Sequence, residues 1–301
     1  MASKEVITAR ARDGIVSGRS FPPSSGAALP LLACIHGGGS NGHYFELKGR
    51  SLAAEARRRG FPVLLVNRPG HAGNAAIDGP TPIADSVPVI RSFIDEVRAD
   101  VGSEGVVLIG HSIGGAIALR LAAGRGDWPL RAVAVSGIGD RSPPTITAMP
   151  SPGNEAEFVP PPAFSDALFF DPDRQLNWKA LASLRAATEP WLAAEVAEIV
   201  FRWPGDWPAV ARGVDLPVHL RLAEHERIWE TGGTVVARMA TALSRSPRVD
   251  AALLRGGGHL YEAYRDGPAL IAAQLDFLAD CAATARSAAP IRSCSSGDRS
   301  G

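Results

Sequence analysis

The strongest constraint on this chain is a repeated alternation. Short runs that are apolar at consecutive positions, LPLLACIHG, FPVLLVN, GVVLIGHS, LRAVAVSG, LPVHLRLA and VDAALLRG, are separated by longer amphipathic stretches. A strand that is apolar on both faces must be covered on both faces, and this occurs where helices lie on either side of a parallel sheet. The intervening stretches read as helices over Tyr44–Arg59, Ile83–Asp100, Ile113–Ala123, Thr231–Ser244 and Leu260–Ala283. Right-handed crossovers between such elements build a doubly wound α/β core. At the start, VITARA and IVSGRSF flank Arg12-Asp13-Gly14 and predict an antiparallel hairpin.

The alternation stops after Gly139. Residues 141–163 are rich in proline, which cannot occupy the interior of a regular helix or sheet. From Ser165 to Ala211 the pattern is helical and aromatic, with Phe169, Phe170, Trp178, Trp191, Phe201, Trp203 and Trp207. An inserted helical stretch of roughly 70 residues between two sheet strands predicts a cap or lid. The organisation is therefore a core over 1–140, a helical cap over 141–212, the rest of the core over 213–285, and a Ser/Gly-rich tail over 286–301 that reads as disordered.

Lysine plus arginine equals aspartate plus glutamate at 31 each, so no net field gathers nucleic acid or an anionic membrane. No stretch is long and apolar enough for a membrane span, and MASKEVITARARDG lacks the apolar segment of a signal peptide. Cys34, Cys281 and Cys294 form no framework or CxxC pair and read as reduced thiols, which favours a cytoplasmic location. The partner is expected to be a small-molecule substrate, with monomer and homodimer both open.

Gly110-His111-Ser112-Ile113-Gly114 fits G-x-S-x-G on a strand-to-helix turn. There a strained serine projects over the C-terminal edge of the sheet, and the glycines let strand and helix approach closely. A serine in this place also reads as an ordinary helix N-cap. A nucleophilic serine needs a base, and His259 in RGGGHLYEAY follows the last strand. The base needs a carboxylate to fix its tautomer. Glu224 and Glu226 follow the strand VHLRLA, and Asp140 follows RAVAVSGIG. A developing oxyanion needs backbone donors. These are the amide of Ile113 and one from the turn His36-Gly37-Gly38-Gly39-Ser40, at Gly38 or Gly39. That turn lacks the GxGxxG and P-loop patterns, which argues against a nucleotide site. His36 reads as a structural hydrogen-bonding residue, while His43 and His71 read as ordinary loop residues, with lining the cleft as the alternative.

With HGGGS at 36–40, RPGHAG at 68–73, GHSIGG at 110–115, AEHE at 223–226 and GGGHL at 256–260, the chain resembles the α/β-hydrolase-fold serine hydrolases from the hairpin to about residue 285. The resemblance implies a mostly parallel doubly wound sheet with an N-terminal antiparallel hairpin and a helical cap after the sixth strand. It also places the triad acid at Glu226, where relatives carry aspartate in Gly-x-x-Asp; the extra methylene keeps Glu224 in play, and members with the acid after the sixth strand keep Asp140. Relatives that cleave carbon–halogen bonds or epoxides have aspartate at the elbow, so Ser112 points to acyl transfer. The expected activity is hydrolysis of an ester, lactone or thioester of a medium-sized hydrophobic substrate, without metal or cofactor, with Trp178, Trp191 and Trp203 as candidate pocket residues. The alternatives are a carbon–carbon bond hydrolase on the same triad and a non-catalytic ligand-binding member of the fold.

Overall fold

The structure, a computed structural model, describes residues 7–10, 14–24, 29–149, 156–171 and 176–287. The expected tail from 288 onward, Cys294, and Arg12 and Asp13 of the opening turn lie outside the described residues.

The strands are β1 (Ile7–Arg10), β2 (Ser17–Phe21), β3 (Leu31–Ile35), β4 (Val63–Asn67), β5 (Val106–His111), β6 (Leu130–Ser136), β7 (Glu157–Phe158), β8 (Trp191–Leu192), β9 (Val218–Ala223) and β10 (Val249–Leu254). Eight of them form one sheet in the order β1-β2-β4-β3-β5-β6-β9-β10. β1 pairs antiparallel with β2 and β2 antiparallel with β4, while the remaining pairs are parallel. The sheet is thus mostly parallel with an antiparallel N-terminal pair, the architecture that the apolar alternation predicts.

Between the strands lie α1 (Leu52–Arg58), α2 (Pro82–Asp100), α3 (Ile113–Ala123), α4 (Pro144–Thr147), α5 (Pro162–Phe169), α6 (Trp178–Ala186), α7 (Ala193–Ala197), α8 (Trp203–Gly213), α9 (Gly233–Ala242) and α10 (Gly267–Ser287). The two-sided apolar runs divide by period two. Leu31, Ala33 and Ile35 of β3 join the cluster built with α2, α3, α8 and α9, and Leu32 and Cys34 join the one built with α1 and α10. Helix α3 is apolar nearly all round because it is enclosed by the sheet, α2 and α8.

Two helices read as continuous are broken. The stretch 44–59 is a 3-10 turn over Gly42–Glu46 followed by α1, with Gly49 at φ +80° between them and Ser51 Oγ capping the Ala54 amide at 3.1 Å. The stretch 260–283 opens with a 3-10 turn at Tyr261–Ala263 before α10 begins. The insertion between β6 and β9 consists of α4 to α8 with the two-residue antiparallel ribbon β7–β8. It is fastened to the core through carboxylates. Glu198 takes the amides of Ile83 (2.7 Å) and Ala84 (3.0 Å) at the start of α2, where Thr81 makes no side-chain cap.

Candidate active site

At the end of β5 the chain turns sharply. Ser112 sits at φ 54°, ψ −122°, a conformation rare for a residue with a side chain. Its amide donates to the Ser136 carbonyl of β6 (2.9 Å), which anchors the turn to the sheet. A methyl group on Gly110 would come within 2.3 Å of the Gly114 carbonyl, and one on Gly114 within 2.0 Å of the Ile35 carbonyl. Glycine at both positions is therefore a packing requirement of the elbow. Ser112 makes no side-chain cap to α3. Its Oγ lies instead 3.0 Å from His259 Nε2.

His259 reaches this position because two loops at the C-terminal edge of the sheet are joined. The Glu224 amide donates to the Leu254 carbonyl (2.9 Å) and the His225 amide to the Gly257 carbonyl (3.1 Å). Gly258 passes so close to α5 that a Cβ there would meet the Phe169 carbonyl at 2.6 Å. The result sets His259 Nδ1 2.8 Å from Glu226 Oε2. The other Glu226 oxygen accepts the amides of Arg227 and Ile228, each at 3.0 Å. All three side chains are at the buried end of the scale, with Ser112 9%, His259 4% and Glu226 6% exposed.

The two other candidate carboxylates face elsewhere. Glu224 accepts from the Gly256 amide (2.8 Å) and Arg255 (3.1 Å), while Asp140 makes a two-pronged pair with Arg238 of α9 at 2.7 and 2.8 Å. Gly38 and Gly39 lie on the turn after β3 and line the same cavity as Ser112 and Ile113. The Ile113 amide, at the first position of α3, lies at the positive end of the helix.

Behind His259 lies a buried polar layer that the sequence reading left out. His111 Nδ1 is 3.2 Å from Ser136 Oγ. Ser136 donates to Glu262 (3.1 Å), and Tyr44 donates to the same carboxylate (2.6 Å) while stacking on His111. Burial, with the nearby His259 charge, pushes His111 well below the usual histidine value. Burial also raises Glu262, against the hydrogen bonds from Tyr44 and Ser136. These residues are spread between positions 44 and 262, and apart from His111, which occupies a variable position of the elbow motif, they lie in no recognisable motif.

A cavity of about 960 Å³ opens above Ser112, between the C-terminal edge of the sheet and the insertion, with a mostly apolar lining. Phe169 stacks on His259 (5.5 Å between ring centres) and also meets Trp191. Of the three tryptophans singled out from sequence, Trp191 lines the cavity. Trp203 is instead buried in the core with its indole N–H on the Gly139 carbonyl (2.7 Å), and Trp178 is 72% exposed at the start of α6 beneath Lys179. Composition marked all three alike because it cannot tell which way a ring faces once the elements have packed. Among the described residues, no group of three histidine, cysteine or acidic side chains gathers as a metal site. None of the described helices is long and apolar enough to cross a membrane.

This fold, with a serine on a strand-to-helix elbow, defines a class, and sequence comparison gives the same class: residues 32–274 match the model of the alpha/beta hydrolase family, so the chain belongs to that family. No curated protein sequence matches it. Among solved structures, it is similar to a monoacylglycerol lipase of Paleococcus ferrophilus (21% identity, TM-score 0.63, covering 92% of this chain and 99% of the other). It is similar to a thermostable carboxyl esterase of Bacillus coagulans (16%, 0.67, 92% and 98%) and to an enol-lactonase of Burkholderia xenovorans (16%, 0.64, 90% and 99%).

Proposed function

We propose that the protein is a serine hydrolase that cleaves an ester, lactone or thioester of a medium-sized hydrophobic substrate through an acyl-enzyme. The observation that carries this reading is the unbroken chain Ser112 Oγ–His259 Nε2 (3.0 Å) and His259 Nδ1–Glu226 Oε2 (2.8 Å), at the floor of an apolar cavity. Glu226 accepts from His259 Nδ1–H and so leaves Nε2 unprotonated. His259 takes the Ser112 proton as Oγ attacks the carbonyl carbon. The oxyanion is held by the amides of Ile113 and Gly38, with Gly39 as the alternative second donor. His259 then gives its proton to the leaving group. A water deprotonated by His259 attacks the acyl carbon, the Ser112–acyl bond breaks, and the proton returns to Ser112. Residues 141–212 act as a cap whose Trp191 and Phe169 bound the acyl site; the lipase, esterase and lactonase likenesses fit the same reaction class.

The test is a panel of p-nitrophenyl esters, acyl thioesters, lactones and vinylogous diketones with wild type and Ser112→Ala. The substitution lowers kcat at least ~10³-fold, and a fluorophosphonate labels Ser112 in the wild type. Ester turnover retained by Ser112→Ala, or cleavage of the diketones alone, overturns the reading.

A further inference from the structure

The turn that follows β3 presents three consecutive glycines, Gly37 to Gly39, to the cavity. Glycine imposes little on its own backbone, so a peptide in such a stretch rotates easily. An oxyanion donor must be held before the reaction begins. Groups other than the glycines themselves have to fix it.

We infer that Arg68, held by Glu195 of the insertion, is a positioning residue that orients the Gly37–Gly38 peptide so that the Gly38 amide faces the Ser112 side of the cavity. The inference rests on the hydrolase reading for its catalytic consequence. A trans peptide is planar, and its carbonyl and N–H point in opposite directions; the described chain contains no cis peptide. The Gly37 carbonyl, which shares its peptide with the Gly38 N–H, accepts two hydrogen bonds from behind. His36 Nδ1 lies at 2.8 Å and Arg68 Nη2 at 3.0 Å. The roles are fixed by a third bond. The Arg68 backbone amide donates to His36 Nε2 (3.1 Å), so His36 carries its proton on Nδ1 and donates it to Gly37. Burial and the Arg68 charge push His36 well below its usual value, in keeping with this neutral tautomer.

Arg68 is wholly buried, and a buried guanidinium needs a counter-ion. The counter-ion is Glu195 of α7. It pairs with Arg68 Nη1 and lies 3.2 Å from Nη2, while His71 Nε2 lies 3.1 Å from the same Nη2. The planar fork of arginine is what allows one side chain to serve the carboxylate and the carbonyl together. The insertion reaches the same turn a second time. The Glu189 amide donates to the Gly39 carbonyl (2.9 Å), and the Glu189 carboxylate takes Asn41 Nδ2 (2.6 Å) and the Ala72 amide (2.7 Å). The insertion that closes the cavity therefore also holds the peptide that lines it.

The experiment compares wild type, Arg68→Met/Glu195→Leu and Arg68→Lys. The double variant removes both charges together and so leaves no unpaired buried ion. Losing one oxyanion donor lowers kcat ~100-fold, and we expect that loss in the double variant with KM within about threefold. Affinity for a boronic acid inhibitor falls in parallel, and affinity for the product acid is unchanged. Arg68→Lys keeps the charge but not the fork and loses about tenfold in kcat at unchanged KM; it decides the matter if the double variant does not fold. A crystal structure of either variant shows the Gly37 carbonyl turned from its present direction. Unchanged kcat, or a Gly37 carbonyl that keeps its direction, overturns the inference. If the wild type hydrolyses nothing in the panel, the hydrolase reading fails, and the carbonyl direction still decides whether Arg68 sets the peptide.

Discussion

Glu226 holds His259 with one carboxylate oxygen and two backbone amides with the other: Oε2 lies 2.8 Å from His259 Nδ1, and Oε1 accepts from Arg227 and Ile228. The amides fix the carboxylate, and the carboxylate fixes the ring. The candidate acids can therefore be separated by function. Glu226→Gln replaces the acceptor by an amide that can present a donor to Nδ1 and reverse the tautomer. We expect kcat to fall ~10⁴-fold, the scale seen when a triad acid becomes an amide. Glu224→Gln and Asp140→Asn keep kcat within about threefold, because their carboxylates serve Gly256 and Arg238. Steady-state kinetics on one p-nitrophenyl ester suffices.

The backbone of Ser112 offers a test by stability alone. At φ 54° a residue with a Cβ carries strain of about 1–3 kcal/mol. Glycine relieves it, at some cost in unfolded-chain entropy. Ser112→Gly is expected to unfold later than Ser112→Ala, by roughly 1 kcal/mol, in urea titrations of the two variants. Equal midpoints would mean that the strain at Ser112 does not exceed the unfolded-chain entropy cost of the glycine.

The tryptophans make different contributions. Trp191→Ala opens the cavity beside Phe169 and raises KM for long-chain or aromatic esters about tenfold, the cost of ~1.4 kcal/mol of lost apolar contact. Trp178→Ala, at an exposed position outside the cavity, leaves KM within twofold. A chain-length series of esters reads both.

Acid stability follows from the buried charges. Burial alone would raise Glu195, but Arg68 and His71 outweigh it and hold the carboxyl at about 2 against an ordinary 4.5. A lowered carboxyl stabilises the fold above its unfolded value, so this contribution is present above pH 4.5 and is lost as pH falls toward 2. The depression corresponds to roughly 3 kcal/mol. His36 and His111, kept well below 6.5 first by burial, act in the same direction from pH 6.5 downward. For these three groups together the unfolded chain binds more protons over this range, so they make stability rise with pH. Glu262 has the opposite sign: burial raises it, so its contribution is full below 4.5 and is lost as pH rises through its folded value. Urea unfolding from pH 3 to 7 should show a rising curve, and Arg68→Met/Glu195→Leu should lose the part of the slope below pH 4.5.

The residues that could be read from sequence were those whose role is local. Gly110 and Gly114 flank Ser112 within one turn, and the apolar β3 and β5 runs report their two-sided burial through a period of two. His259 stood out as a candidate because its glycine loop directly follows a strand. The resemblance pointed to Glu226 among Glu224, Glu226 and Asp140, but no local pattern in the residues separates the three, since the choice depends on which way each loop carboxylate turns once the β9 and β10 loops are joined. The bond from Arg68 to Glu195 spans 127 positions, and neither residue lies in a periodic pattern that names the other. The chain's periodicity and turn chemistry set the sheet, the elbow and the order of the candidate site residues, because hydrophobic burial and backbone sterics act over a few neighbouring residues. Folding in three dimensions decided which carboxylate meets His259, which aromatic ring faces the cavity and what holds the glycine turn. Hydrogen bonds and ion pairs form between whichever groups the packed core brings within about 3 Å, and that choice is written in no local stretch of sequence.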